Sequence, residues 1–210
     1  VTDAVVTALA RQVTYQNTSE SPTAPTKTVT VSTKNSLNET TSGGATVNVT
    51  AVNDAPGITS PGTQATLAGI NEDQSSATNI GATVNSLFAP RFTDVDSGAS
   101  LGGIVVVGDA SMGTQGKWQY STDGTNWFDI SSTAVSAGNG LVLSAATKLR
   151  FEPSASWHGT PGALTVHLLD NSQGSYTSGG TRGVYATATD TASPPASGGG
   201  ATRGTTGASA

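Results

Sequence analysis

The chain of 210 residues carries nine Lys and Arg against 14 Asp and Glu, a net charge of −5, and charged residues make up only 11% of it. With a pI near 4.7 and its basic residues scattered singly, it offers no stripe for a phosphate backbone, which excludes a nucleic-acid partner. The absence of cysteine excludes a disulfide framework and thiolate metal sites, and no apolar run reaches the roughly 18 residues that span a bilayer, so no membrane insertion is expected.

In chain order, "VTDAVVTALA" lacks a basic n-region and a long apolar core, so it reads as a segment cut from something longer rather than a leader. Asp3 is a candidate cap for about two turns of helix, in which Val6, Leu9 and Val13 follow helical spacing. Next, "TKTVTVST" alternates Val29 and Val31 with polar residues, and "ATVNVTAV" does the same with Val47 and Val49. The polar "NSLNETTSGG" between them completes a hairpin over 28–52. Pro56 and Pro61 then withhold ladder donors and mark a linker at 53–60.

Beyond it, short strands recur in "ATLAGINED", "GATVNSLFAPRFTD", "GGIVVVGD", "GLVLSAATKLRFEP" and "GALTVHLLDNS", broken by Gly, Asp, Asn and Pro, a pattern that predicts a β-sandwich. "KWQYSTDGTNWFDI" predicts a further hairpin about its Asp-Gly turn, with Trp118 and Tyr120 on one face and Trp127 meeting them across it. Leu149, Phe151, Leu164, Val166 and Leu168 alternate toward the core, and His167 points away from it. From Ser172 the pattern decays into glycine and small polar residues, so 191–210 is expected as an irregular tail, with Val184 and Tyr185 the last candidates for an edge strand. The second unit therefore lacks a strong closing strand. An unpaired edge invites strand addition, so the 28–52 hairpin is a candidate to complete that sheet, in cis or in a neighbouring chain.

"VTALARQVTYQNTSESPTAPTKTVTVST" followed by "VNVTAVNDAP" resembles the closing half of a cadherin-like tandem repeat of giant bacterial surface adhesins of the RTX type. "FTDVDSG", "GKWQYSTDGTNWFDIS" and "LSAATKLRFEPSASWHGTPGALTVHLLDNS" resemble the body of a further repeat, and together these words cover most of residues 1–190. The resemblance implies an all-β, immunoglobulin-like Greek-key sandwich with a short N-terminal helix, made of a partial repeat over 1–52 and a second repeat over 61–190. It implies an extracellular stalk on the bacterial cell surface, packed against neighbouring repeats of the same chain and supporting adhesion or biofilm.

The same resemblance implies calcium at repeat junctions. Asn53 and Asp54 match the family's linker, Asp94 and Asp96 match its D-x-D word, and Glu72 and Asp73 resemble the acidic pair near a repeat's first strand, which serves a different junction. Asp170 in "LLDNS" is a further candidate. The chemistry is sound by itself, since calcium takes six to eight oxygen ligands and alternating acids turn two carboxylates toward one point. "VNDAP" departs from the fuller D-x-N-D-x-P pattern by one carboxylate, which implies a lower affinity. The plain reading of Asp54 is a turn or cap.

No catalytic constellation is present: His158 and His167 are the only imidazoles, and neither G-x-S-x-G nor H-E-x-x-H occurs, so no enzyme is expected. A carbohydrate-binding module is the rival class, with Trp157 in "PSASWHGTPG" as the candidate platform for an extracellular glycan and core packing as its plain alternative. Self-association by strand exchange into a surface filament is the third reading. Asn17, Asn38 and Asn48 head formal glycosylation sequons of the sort that arise readily in Asn/Thr-rich strands.

Overall fold

The computed structural model describes residues 3–22, 26–59, 64–130, 135–179, 182–183, 202–206 and 208–209. The chain forms two compact units, Val1–Val52 and Asn53–Ala210.

In the first unit, helix α1 (Asp3–Ala10) precedes strands β1 (Thr26–Lys34) and β2 (Thr40–Asn48), which pair antiparallel without a bulge from Thr26↔Asn48 to Lys34↔Thr40. The tip is an Asx turn: Asn35 Oδ1 accepts from the Leu37 and Glu39 amides at 3.0 and 2.9 Å, and Asn38 takes the left-handed conformation that asparagine tolerates. Val29, Val31 and Thr33 share one face of β1 and are half-buried, while Thr28, Thr30 and Ser32 on the other face are exposed. Val6 and Ala10 line a groove of about 550 Å³ together with Val29, Val31 and Val47. Leu9, expected on the packed stripe, is 70% exposed. No described side chain of this unit is fully buried.

The second unit is an all-β sandwich. Its strands are β3 (Gly57–Ile58), β4 (Ala65–Thr66), β5 (Ala82–Thr83), β6 (Phe92–Thr93), β7 (Leu101–Asp109), β8 (Gly116–Ser121), β9 (Phe128–Asp129), β10 (Gly140–Ser144), β11 (Lys148–Pro153), β12 (Leu164–Asp170), β13 (Arg182–Gly183), β14 (Thr202–Thr206) and β15 (Ala208–Ser209). One sheet has the order β13-β10-β7-β12-β14 and the other β5-β11-β8-β9, with every pairing in them antiparallel. Two short pairs, antiparallel β3-β6 and parallel β4-β15, complete it.

Period-two alternation builds the core between the sheets. Ile104, Val106, Leu141, Leu143, Leu164, Val166 and Leu168 come from one sheet, and Trp118, Tyr120, Leu149 and Phe151 from the other. His167 lies on the opposite face of β12 from Val166 and Leu168, as the alternation requires. Val105, Val142 and Leu169 form a smaller cluster on that outer face, against which Tyr176 packs.

Several segments differ from their sequence-based expectation. "TVNSLF" holds a helix, α2 (Val84–Phe88), because Thr83 Oγ1 accepts from the Ser86 amide at 3.1 Å as a cap and buries Val84, Leu87 and Phe88 along one side. A 3₁₀ turn with Pro90 near its start ends it. The expected linker 53–60 is the opening of the second unit: Pro56 is buried, Gly57 and Ile58 pair with Thr93 and Phe92, and the Thr59 amide donates to the Arg91 carbonyl at 2.9 Å. Within 191–210, β14 extends the larger sheet beside β12, so the strand that the second unit seemed to want comes from its own C-terminal segment. The 28–52 hairpin forms a two-stranded sheet of its own. Val184 and Tyr185 lie outside the described residues.

Trp127 does not join the core. Strand parity places Phe128 opposite Tyr120, where the rings stack at 5.4 Å, and turns Trp127 to the outer face, 4.0 Å over the Arg150 guanidinium.

Candidate functional site

Strand pairing brings three stretches of sequence together. The β3-β6 pair sets Gly57 beside Thr93, and so places 53–56 next to the 94–100 loop. The β7-β12 pair sets Leu101 beside Asp170, and so places that same loop next to the end of β12. Asn171 fastens the loop, accepting from the Ser100 amide at 3.1 Å and donating to the Gly98 carbonyl at 3.3 Å.

Five of the candidate residues thereby join one hydrogen-bonded chain. Asn53 Nδ2 donates to Asp170 Oδ2 at 2.9 Å and to the Asp54 carbonyl at 2.8 Å. The Asp54 amide donates to Asp96 Oδ2 at 2.7 Å, and the Asp96 amide to Asp94 Oδ1 at 2.8 Å. Asp170 Oδ1 accepts from the Ser172 amide at 2.8 Å, and the residue is only 1% exposed. Asp94 Oδ2 is buried and has no hydrogen-bond partner.

The arrangement is anionic and rests on dipoles. Among the described residues no ion pair links Asp54, Asp94, Asp96 or Asp170 to a basic side chain, so backbone amides and the Asn53 carboxamide carry the neutralisation. Hard oxygens from four carboxylates and one amide match the donor chemistry of calcium, and the unused Asp94 oxygen is a ready ligand. Among the described residues, no three His, Asp or Glu side chains are gathered closely enough to hold a metal ion. The donor set fits a calcium ion in kind, while one oxygen each of Asp94 and Asp96 and both of Asp170 accept hydrogen bonds.

Glu72 and Asp73 lie against the 154–159 loop. Glu72 Oε2 lies 3.5 Å from His158 Nδ1, and Asp73 Oδ1 accepts from the Ser156 amide at 3.4 Å. Both line up with the 154–159 loop, where Asn71, Glu72, Trp157 and His158 border a cavity of about 200 Å³. Trp157 is half-buried and packs edge-to-face on Phe151 with centroids 5.7 Å apart; Phe151 in turn meets Trp118 at 5.4 Å. Its ring closes the end of the core, the plain reading of this tryptophan.

Sequence reasoning passed over Asn171 and Arg150. "LLDNS" names the asparagine but not its reach across to Gly98 and Ser100. Arg150 falls on the outward parity of β11, yet it is 4% exposed: Nε donates to Gln119 Oε1, and Nη1 donates to the Ser76 and Asn79 carbonyls. Burial pushes its pKa down, while Glu152 and Asp129 act to hold it up. The loop that covers it could not be placed from local pattern.

"STDGTN", which looks superficially like a calcium loop, is committed to its own backbone. Asp123 Oδ1 accepts from the Thr125 and Asn126 amides at 2.8 and 2.7 Å, and Gly124 supplies the left-handed residue. The Asn126 and Thr125 amides, with help from the Asn126 side chain, hold the Asp123 carboxyl well below the usual range. A depressed pKa contributes stability that is present above the unfolded value and lost as the pH falls through the folded one. Acid melts should therefore decline less steeply for Asp123→Asn than for the parent, and coincident pH profiles would deny the turn this role.

No family model, no curated protein and no solved structure matches the chain.

Proposed function

We propose that this chain is a noncatalytic extender segment of a secreted bacterial surface adhesin, in which calcium bound beside Asn53, Asp54, Asp94, Asp96 and Asp170 stiffens a stalk of repeats. The observation that carries this reading is the hydrogen-bonded gathering of those five residues at the first residues of the second unit, with a buried carboxylate oxygen of Asp94 left unused. When bound, the ion supplies the positive charge that these carboxylates lack. The protein's part is to hold them: Asn53 anchors Asp170, Asp54 anchors Asp96, and Asn171 keeps the loop against β12. A segment clamped in this way by the strand that follows it resists bending at its start, which is the mechanical property a spacer needs.

Calorimetric melting in chelator and in excess calcium tests the metal. Binding to the folded state alone adds about 2.7 kcal/mol at a hundredfold excess over Kd, enough to raise the Tm by several degrees. Asp94→Ala and Asp96→Ala should each abolish most of that rise, and magnesium should reproduce little of it. Superimposable curves with and without calcium would remove the metal and leave a plain spacer.

A further inference from the structure

The first unit presents a nine-residue edge that fits itself. Both β1 and β2 pair on one side only among the described residues, and an isolated two-stranded hairpin is marginal in water without a third strand or a covered apolar face. The apolar face here is shallow, since Val29, Val31 and Val47 remain half-buried beside α1. Unpaired N–H and C=O groups along such an edge are a template for another strand.

We propose that two copies of the chain associate through β1, antiparallel about a two-fold axis at Thr30, to make one four-stranded sheet. The centre of the strand, "TVTVS" over 28–32, is close to a palindrome about that residue. Pairing it with itself sets Val29 against Val31 of the second copy, Thr28 against Ser32, Lys27 against Thr33, and Thr26 against Lys34. Residues of like parity meet, so all four valines fall on one face and the two apolar grooves become continuous. No lysine faces a lysine, and the strand contains no acid, so no like-charge contact opposes the register. A two-fold contact is also the closed form, using one patch on each copy. The edge of β2 fits worse, because Gly43 and Gly44 occupy its centre and pack no side chain. This inference does not depend on calcium or on the adhesin reading.

Sedimentation equilibrium of the full chain should show a monomer–dimer equilibrium that shifts with concentration. Since the chain has no cysteine, Thr30→Cys provides a clean cross-link: residues facing across an antiparallel pair lie about 4.5–5.5 Å apart at Cα, within disulfide range. Thr46→Cys, also exposed but on β2, would lie three strand spacings across and four residues along from its mate, ~19 Å away, and should stay reduced. Thr30→Lys places two ammonium groups on the axis and should raise Kd about fivefold, as should Thr30→Glu with its carboxylates, whereas mixing the two variants should restore association. A chain that stays monomeric at every concentration overturns the proposal. So does a dimer in which Thr30→Cys cross-links no faster than Thr46→Cys.

Discussion

Trp118→Ala is expected to destabilise the second unit by about 3–5 kcal/mol, the usual result of emptying a buried aromatic site. Three observations set that size. The indole is 0% exposed, its ring makes the edge-to-face contact with Phe151, and its Nε1 donates to the Gly162 carbonyl at 2.8 Å. The void cannot close from the Gly162 side, because that backbone already lies against Ala110 so tightly that a Cβ on Gly162 would strike the Ala110 carbonyl. Phe151 would also lose one of its two aromatic neighbours, which loosens Trp157 at the other end of the row. Since whole domains are stable by only about 5–15 kcal/mol, the variant should sit near its unfolding midpoint well below the parent's. Trp118→Phe keeps most of the volume and loses the donor, so it should cost about 1–2 kcal/mol. Denaturant unfolding followed through the fluorescence of Trp157 and Trp127 measures both; a loss under about 1 kcal/mol for the alanine variant would contradict the packing described.

How much of this was legible in the sequence depended on which rule governed each residue. Trp118, Tyr120, Leu149, Phe151, Leu164, Val166 and Leu168 follow period two within single strands, so local pattern sufficed to place them in the core. Trp127 obeys the same rule, but the ladder starts at Phe128, and a shift of one residue sends a side chain to the other face. "TVNSLF" is helical because the Thr83 cap and the burial of Val84, Leu87 and Phe88 on one side act together, and the second of these depends on residues elsewhere in the chain. "TRGTT" has no apolar alternation at all; its strand depends on the free edge of β12, which is information carried elsewhere in the chain. The candidate site divides in the same way. Alternating acids at Asp94 and Asp96 are visible as a word, and the Asp96 amide does donate back to Asp94. That the Asp54 amide reaches Asp96, and Asn53 reaches Asp170 across 117 positions, follows from the β3-β6 and β7-β12 registers, which no local motif encodes.

The second large effect is expected at Asp170. Asp170→Ala removes the acceptor for two donors at once, the Asn53 carboxamide and the Ser172 amide, at a position almost wholly screened from water. Hydrogen bonds to charged groups contribute about 1.5–3 kcal/mol each, and donors left unsatisfied in a buried site keep their desolvation cost, so a loss of about 2–4 kcal/mol is expected even in chelator. Asp170→Asn retains one carbonyl-type acceptor but turns an amide nitrogen toward the other donor, and should fall between the parent and alanine. Asn53→Ala, by contrast, frees one Asp170 oxygen and leaves the Ser172 bond intact, so it should cost less than Asp170→Ala. The double variant should then show a coupling of at least ~0.5 kcal/mol, since the pair is in direct contact. Additive losses would mean that the 2.9 Å bond contributes nothing, and the clamp between the opening of this unit and the end of β12 would have to reside in Asn171 and the 94–100 loop alone. The same variants separate structure from metal: if Asp170 serves the clamp only, its alanine variant melts lower but retains the calcium-dependent rise, and if its carboxylate is a ligand, that rise shrinks with it.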